Sequence, residues 1–423
     1  MKIILVINSI IYILTFIFFY RKDKMCVSTL LWLYYAFFSI FGAILVYDGL
    51  YFQVMDGLVI EQNRIEHVSW VPYILLYFTF YMFVTPFRNF KLSKIDIIHI
   101  GIKKTSFLKF CNLCCYFEII YVVVKVIQVG IVGTIGFGNF HDMTVNDGGG
   151  DAILYSGPLG PVMHLFNNIG RFINLVFIPY VLVYLTYNYV KGILPKSTFL
   201  KCFIPYSVSL LLKGVVGGSR GDLFFSLLEV LFYYLLFKNY IGISIRRKIR
   251  VLALVGISLL LVVMVMITNE RFGESNITIW GSILRYLGEM WPNLGYEYWD
   301  RVNEHPYGDF LFSTFGNNEE DIRIYWFYKT GVHTWWFFTI LGRLYFEYGK
   351  LLAILIILCI GFYIRKVLNK KRYYLSDVGM IAFLYNLCVS SLFNFVIIRP
   401  VDIFGLVMMY SFSLLLRPKK NNL

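Results

Sequence analysis

The sequence predicts an all-α polytopic membrane protein, with about eleven transmembrane helices and one large outside loop carrying interfacial helices. Three observations predict it. The 423 residues are 58% hydrophobic, 19% aromatic and only 15% charged, far from soluble composition. Apolar runs approaching the roughly 20 residues that cross hydrocarbon recur from end to end. Lys and Arg crowd into alternate connections between those runs, as the positive-inside rule describes.

In order, the runs are Ile3–Phe19, Ser28–Tyr47, Trp70–Val84, Phe107–Val129, Val162–Tyr187, Phe199–Leu212, Leu223–Phe237, Val251–Thr268, Leu351–Ile364, Val378–Phe395 and Ile403–Leu416. Several are shorter than a full span and must borrow flanking residues. The first ends in Arg21-Lys22-Asp23-Lys24 without a small-residue cleavage site, so it predicts a retained helix and not a cleaved signal. The connections Arg21–Lys24, Arg88–Lys104, Lys191–Lys201, Lys238–Arg250, Arg365–Arg372 and the tail Arg417–Lys420 hold 24 of the 39 basic residues. Assigned to the cytoplasm, they keep parity across all the runs and place the N-terminus outside and the C-terminus inside. The net charge of +14 therefore belongs to membrane loops and does not indicate nucleic acid. Residues 1–423 read as a single integral membrane domain, with 269–350 as its large outside loop.

The cysteines (Cys26, Cys111, Cys114, Cys115, Cys202, Cys359, Cys388) fall within runs or near the cytoplasmic face, so no structural disulfide is expected. Cys111-x-x-Cys114-Cys115 opens an apolar helix and lacks a second ligand pair, which predicts packed thiols over a metal site. Outside, Asp48–Ser69 reads as an ordinary solvated loop. Gly130–Gly160 contains His141, Asp142, Asp147 and Asp151 with no Lys or Arg, and its glycines lack the dinucleotide fingerprint. It reads either as a flap over an outside-facing cavity or as a plain connection. Arg171 and Asn174 sit inside a run, where an Arg is not expected to face lipid.

The polar step Val215–Asp222, VVGGSRGD, joins two apolar runs with flexible backbone, a fixed cation (Arg220) and a carboxylate (Asp222). Ionisable groups at membrane depth are costly and raise a site hypothesis; the plainer reading is a tight turn whose Arg snorkels to lipid phosphate. Asn269-Glu270-Arg271-Phe272-Gly273 returns a second Arg and carboxylate to that depth. The long loop that follows holds six of the eight tryptophans (Trp280, Trp291, Trp299, Trp326, Trp335, Trp336), and its stretches Ile279–Met290 and Thr334–Phe346 have helical periodicity with mixed faces. They read as helices lying along the outer surface, most of their aromatics serving as interfacial anchors. Arg399-Pro400-Val401-Asp402 forms the last outside connection.

Outside, arginines outnumber lysines eight to three from Arg171 onward, a bias suited to bidentate phosphate binding. No HExxH, GxxxxGK[ST] or DxD motif appears there, so metalloprotease, P-loop NTPase and metal-chelated nucleotide-sugar chemistry find no support. A donor pre-activated by a lipid diphosphate fits: arginines stabilise the leaving group, and one carboxylate or His deprotonates a sugar hydroxyl.

Gly217-Gly218-Ser219-Arg220-Gly221 after an apolar run, the long outside loop, and Gly342-Arg343-Leu344-Tyr345-Phe346-Glu347-Tyr348-Gly349 leading into the next run resemble the O-antigen polymerases of the Wzy type. The resemblance covers about Ile204–Leu416. It implies a bacterial inner-membrane glycosyltransferase that moves the growing glycan from undecaprenyl diphosphate onto the terminal sugar of an incoming lipid-linked repeat unit, at the periplasmic face and with no metal or other cofactor. The implied diphosphate contacts are Arg220 and Arg271, helped by Arg343 and Arg399. Asp222, Glu270 and His333 compete for the base; His333 stands before Gly342-x-x-Tyr345 at a shorter spacing than the related ligases show. Implied partners are undecaprenyl-diphosphate-linked oligosaccharides, the lipid bilayer and a chain-length regulator protein. The rivals are a flippase or transporter of lipid-linked oligosaccharide, which also needs charges inside a bundle, and an O-antigen ligase.

Overall fold

The apolar runs fold as helices. A computed structural model describes the chain apart from residues 53–67, 98, 137–139, 141–152, 156–157, 217–219, 245, 248, 252–253, 255–257, 259–261, 263–264, 267, 270–278, 300, 310–318, 333–338, 394–399 and 419–423; it describes backbone alone at 52, 220–223, 279, 319–321, 323 and 400–402. In chain order the helices are α1 (Lys2–Asp23), α2 (Val27–Tyr47), α3 (Val71–Val84), α4 (Lys104–Ile135), α5 (Gly160–Val176), α6 (Ile178–Val190), α7 (Lys196–Val216), α8 (Arg220–Phe237), α9 (Ile279–Gly288), α10 (Met290–Asn293), α11 (Glu319–Thr330), α12 (Ile340–Leu368), α13 (Val378–Ser390) and α14 (Pro400–Leu416). The strands β1 (Ile95–Asp96) and β2 (Tyr373–Tyr374) form the one sheet among the described residues.

Among the described residues, five helices (α1, α2, α4, α7 and α12) are long and apolar enough to cross a membrane, and α5 with α6, bent by 61°, makes a sixth if the pair is one broken span. Shorter apolar helices cover Phe224–Phe237, Leu375–Ser390 and Ile403–Leu416. Against eleven expected runs, the described residues hold six long candidates; α3, one of the shorter ones, stops after 14 residues and continues as a 3₁₀ segment, Thr85–Asn89, around Pro86. Of the run Val251–Thr268 only scattered residues are described, and those are helical.

By contacts the chain divides into two compact units. The first comprises Met1–Phe90, Asn276–Lys370 and Leu384–Phe404. Its core is aromatic: Tyr35 stacks on Phe80 with centroids 3.9 Å apart, and Tyr12 meets Trp291 edge-on at 5.1 Å. Buried phenols need partners, and the last carbonyls of a helix need donors. Tyr35 donates to the Cys388 carbonyl at 2.6 Å and Tyr34 to that of Val389 at 2.9 Å, which satisfies both at the end of α13. Small residues let α9 close on α2: a Cβ at Gly288 would lie 2.6 Å from the Phe41 carbonyl, and one at Gly42 2.7 Å from Trp291 Cδ1. Asp23 receives two hydrogen bonds from Arg88, 2.5 and 2.9 Å, and they raise the pKa of the guanidinium.

This packing differs from the surface-lying helices expected in the long loop. Leu284, Arg285 and Leu287 of α9 are buried, as is every residue from Met290 to Trp299, where α10 runs into a π-helical turn, Leu294–Trp299. Trp291, Trp299 and Trp326 are core residues; Trp280 is exposed, and Trp335 and Trp336 lie outside the described residues.

The second unit comprises Lys91–Ser275, Lys371–Phe383 and Gly405–Leu423. Its axis is the 32-residue α4, packed against α7, α5 and α6. Pro179 in the first turn of α6 fits the bend from α5, because proline cannot continue the preceding hydrogen-bond ladder. Tyr180 bonds Ser413 at 2.6 Å and donates to the Met409 carbonyl at 3.2 Å, joining α6 to α14. Cys111, Cys114 and Cys115 on α4 and Cys202 on α7 are buried free thiols. β1 and β2 pair in parallel, Ile95 opposite Tyr373. Burial, then the Asp377 charge, pushes the Tyr373 phenol up to about 12.

Candidate functional site

The motif Gly342–Gly349 opens α12. Thr339 caps the helix by accepting from the Gly342 N–H at 3.3 Å. Arg343 and Glu347 are four residues apart and therefore share a face; Arg343 Nη2 lies 3.2 Å from Glu347 Oε1, with the two side chains 11% and 0% exposed. The segment Val302–Asp309 is clamped over this first stretch. Tyr345 donates its hydroxyl to the carbonyls of Trp299 and Val302, the Gly308 N–H donates to Glu347 Oε2 at 3.1 Å, and the Tyr307 N–H donates to the Glu347 carbonyl at 2.8 Å.

His305 completes the arrangement. Its Nδ1 is 3.0 Å from the Phe346 carbonyl. A carbonyl only accepts, so this bond assigns the ring proton to Nδ1 and leaves a lone pair on Nε2 in the neutral imidazole. Gly349 makes room for that nitrogen. It breaks α12 with φ 76° and ψ 175°, a conformation that is essentially glycine's alone, and a Cβ there would sit 3.0 Å from His305 Nε2. A guanidinium held by a carboxylate thus lies on the first turns of α12, and an imidazole oriented as an acceptor docks on the same stretch from the Val302–Asp309 segment, group types suited to anion recognition and proton abstraction.

Arg343 is the one predicted site residue whose side chain the structure describes. The backbones of Arg220 and Asp222 begin α8, but their side chains lie outside the described residues, as do Glu270, Arg271, His333 and Arg399. Other charges gathered by depth are paired locally: Arg285 with Glu289 at 3.8 Å and Arg301 with Glu297 at 2.9 Å. Sequence reasoning missed His305; its only signal was the turn-forming His305-Pro306-Tyr307-Gly308.

It also missed a polar line inside the second unit. Glu118 of α4 is wholly buried, yet Ser209 of α7 donates to its Oε2 at 3.1 Å, and the Asn174 amide, turned with its nitrogen toward the carboxylate, donates to Oε1 at 2.6 Å. One turn back on α7, the Tyr206 hydroxyl donates to Glu229 of α8 at 2.5 Å. Further along α4, Lys125 donates to Gln128 at 2.8 Å, and Gln128 to the Tyr155 hydroxyl at 3.1 Å. Arg171 is exposed on the surface of α5. The signal was a lone Glu, Glu118, and, deeper in the run than Lys109, a second Lys, Lys125, within the apolar run Phe107–Val129.

These helices and charged clusters define an all-α membrane protein that associates with a lipid bilayer through its long apolar helices. Compared with known proteins, the chain matches no family model, no curated protein and no solved structure.

Proposed function

We propose that the chain is an O-antigen polymerase of the bacterial inner membrane, N-terminus periplasmic and C-terminus cytoplasmic. It transfers the growing glycan from undecaprenyl diphosphate to the terminal sugar of an incoming lipid-linked repeat unit at the periplasmic face. The observation that supports this reading is the pair of Arg343 with the buried Glu347, with His305 docked one residue away on Phe346. Arg343 binds diphosphate oxygens while Glu347 fixes its geometry, and Arg220, Arg271 and Arg399 are proposed as further contacts. His305 Nε2 joins Asp222, Glu270 and His333 as a candidate base for the attacking hydroxyl.

The test is the lipopolysaccharide ladder of cells carrying single variants, with protein level checked in parallel. Arg220→Ala, Arg271→Ala, Arg343→Ala and His305→Gln should each collapse the ladder to core bearing a single repeat unit. Unchanged ladders in Arg220→Ala and Arg271→Ala at normal protein level would remove the diphosphate assignment.

A transporter of the same lipid-linked units is the second reading. The buried carboxylate Glu118 and the partly buried Glu229, linked through α7 by Ser209 and Tyr206, favour it, because acids held inside a bundle commonly mark a translocation or proton path. Loss of a transporter leaves core with no repeat unit, whereas loss of a polymerase leaves one.

A further inference from the structure

The second unit carries a cleft of about 610 Å³ built from connections that the charge pattern assigns to the cytoplasm. Lys94 comes from the segment before α4, Lys191 from the α6–α7 turn, Tyr240 from the end of α8, and Lys371 and Arg372 from the segment before β2. Chain positions almost 300 residues apart are held together by the β1–β2 pairing, and the buried Asp96 locks it by bonding both Arg372, at 2.5 Å, and His99, at 2.9 Å. Asp96 is the one carboxylate among the described lining residues, its side chain only 1% exposed, and its Oδ2 faces both Arg372 and His99. No described carboxylate pairs with Lys94, Lys191 or Lys371, while Lys191 lies 5.7 Å from the Tyr187 ring centroid. A volume within the roughly 300–1,000 Å³ of ordinary ligand sites, an excess of cations, and phenols from Tyr187 and Tyr240 together describe a receptor for a compact anion.

We infer that this cleft is a binding site for a phosphate-bearing anion, recognised by Lys94, Lys191 and Lys371 around the Asp96–Arg372 frame. Like-charged ammonium groups converging on one cavity repel each other unless an anion joins them, and phosphate oxygens take up several N–H donors at once. Two sources carry that chemistry at a cytoplasmic membrane surface: the headgroup of an anionic phospholipid, and a soluble phosphate compound. Basic pockets on that side of membrane proteins are suited to the former.

The test uses the full-length protein in phosphatidylcholine nanodiscs. One arm adds cardiolipin or phosphatidylglycerol and counts retained lipid by native mass spectrometry; the other titrates inorganic pyrophosphate by calorimetry. The cleft lysines are replaced in Lys94→Gln/Lys191→Gln/Lys371→Gln, with Lys191→Glu alone as a milder variant and Lys196→Gln/Lys201→Gln, outside the cleft, as the charge control. Binding of either probe to the native protein, weakened at least tenfold in the triple variant and measurably in Lys191→Glu but not in the control, supports the site. The arm that responds identifies the source. Absence of binding in both arms, or equal weakening in the control, overturns it. Should the triple variant not fold, Lys191→Glu decides alone: unchanged binding overturns the proposal.

Discussion

At the scale of single residues, the Arg343–Glu347–His305 cluster of the first unit makes separable predictions. Glu347 is fully buried and bonded to the largely covered Arg343, so removing the arginine strands the carboxylate's charge. Arg343→Met should destabilise the purified protein by about 3 kcal/mol, whereas Arg343→Met/Glu347→Leu should recover most of that loss, because a buried ion pair costs about as much to desolvate as it returns. Neither variant should extend glycan, and thermal unfolding in detergent read beside the ladder separates the two effects. Gly349→Ala forces a non-glycine residue into φ 76°, ψ 175° and crowds His305 Nε2. The backbone strain costs about 1–3 kcal/mol; a variant as stable as the native chain would show the kink to be unimportant. His305→Gln keeps a group able to bond the Phe346 carbonyl but cannot accept a proton, so turnover should fall by about 10²–10⁴-fold with stability nearly unchanged. The pairings themselves were legible: Arg285-x-x-x-Glu289, Glu297-x-x-x-Arg301 and Arg343-x-x-x-Glu347 are i,i+4 pairs in plain sequence, yet sorting charges by membrane depth overlooked them. His305 was not legible, since its role depends on meeting a carbonyl 41 residues away.

At the scale of elements, apolar periodicity located the helices well and their lengths poorly. Runs such as Trp70–Val84 carry the hydropathy of a span, but Pro86 and the switch to a 3₁₀ segment are set by local backbone geometry that a hydropathy window does not register. The Trp-rich loop was misread for a different reason. Aromatic rings serve equally as interfacial anchors and as core packing, and composition does not separate the two. The glycines do carry the distinction: Gly288 and Gly42 permit α9 to approach α2 closely enough to bury Trp291. Gly288→Ala places a Cβ against the Phe41 backbone, which cannot yield as a side chain can. Overpacking of this kind costs about 1–3 kcal/mol, and it should loosen α9 from α2, exposing Trp291 to a red-shifted fluorescence emission. Gly130→Ala, at a position with nothing within 4 Å, is the matched substitution and should leave emission unchanged.

At the scale of the molecule, the units interleave along the chain, each assembled from segments far apart in sequence, and no local pattern announces such an arrangement. What the sequence does carry at this scale is charge parity, which assigns each connection a side of the membrane. The first unit offers a direct check because α12 separates two exposed positions, Tyr328 in α11 before it and Lys370 just after it. Past the break at Gly349, the remainder of α12 rises about 28 Å at 1.5 Å per residue, close to the hydrocarbon thickness. Cys359 is the exposed cysteine and Cys26 a partly buried one, so replacing both with Ser leaves only buried thiols as background. In that background a membrane-impermeant maleimide added outside spheroplasts should label Tyr328→Cys at once and Lys370→Cys only after the membrane is permeabilised. Labelling of Lys370→Cys in intact spheroplasts would invert the topology, place the Arg343–His305 cluster on the cytoplasmic side and remove the periplasmic reaction with it. Labelling of both from outside would show that α12 does not cross.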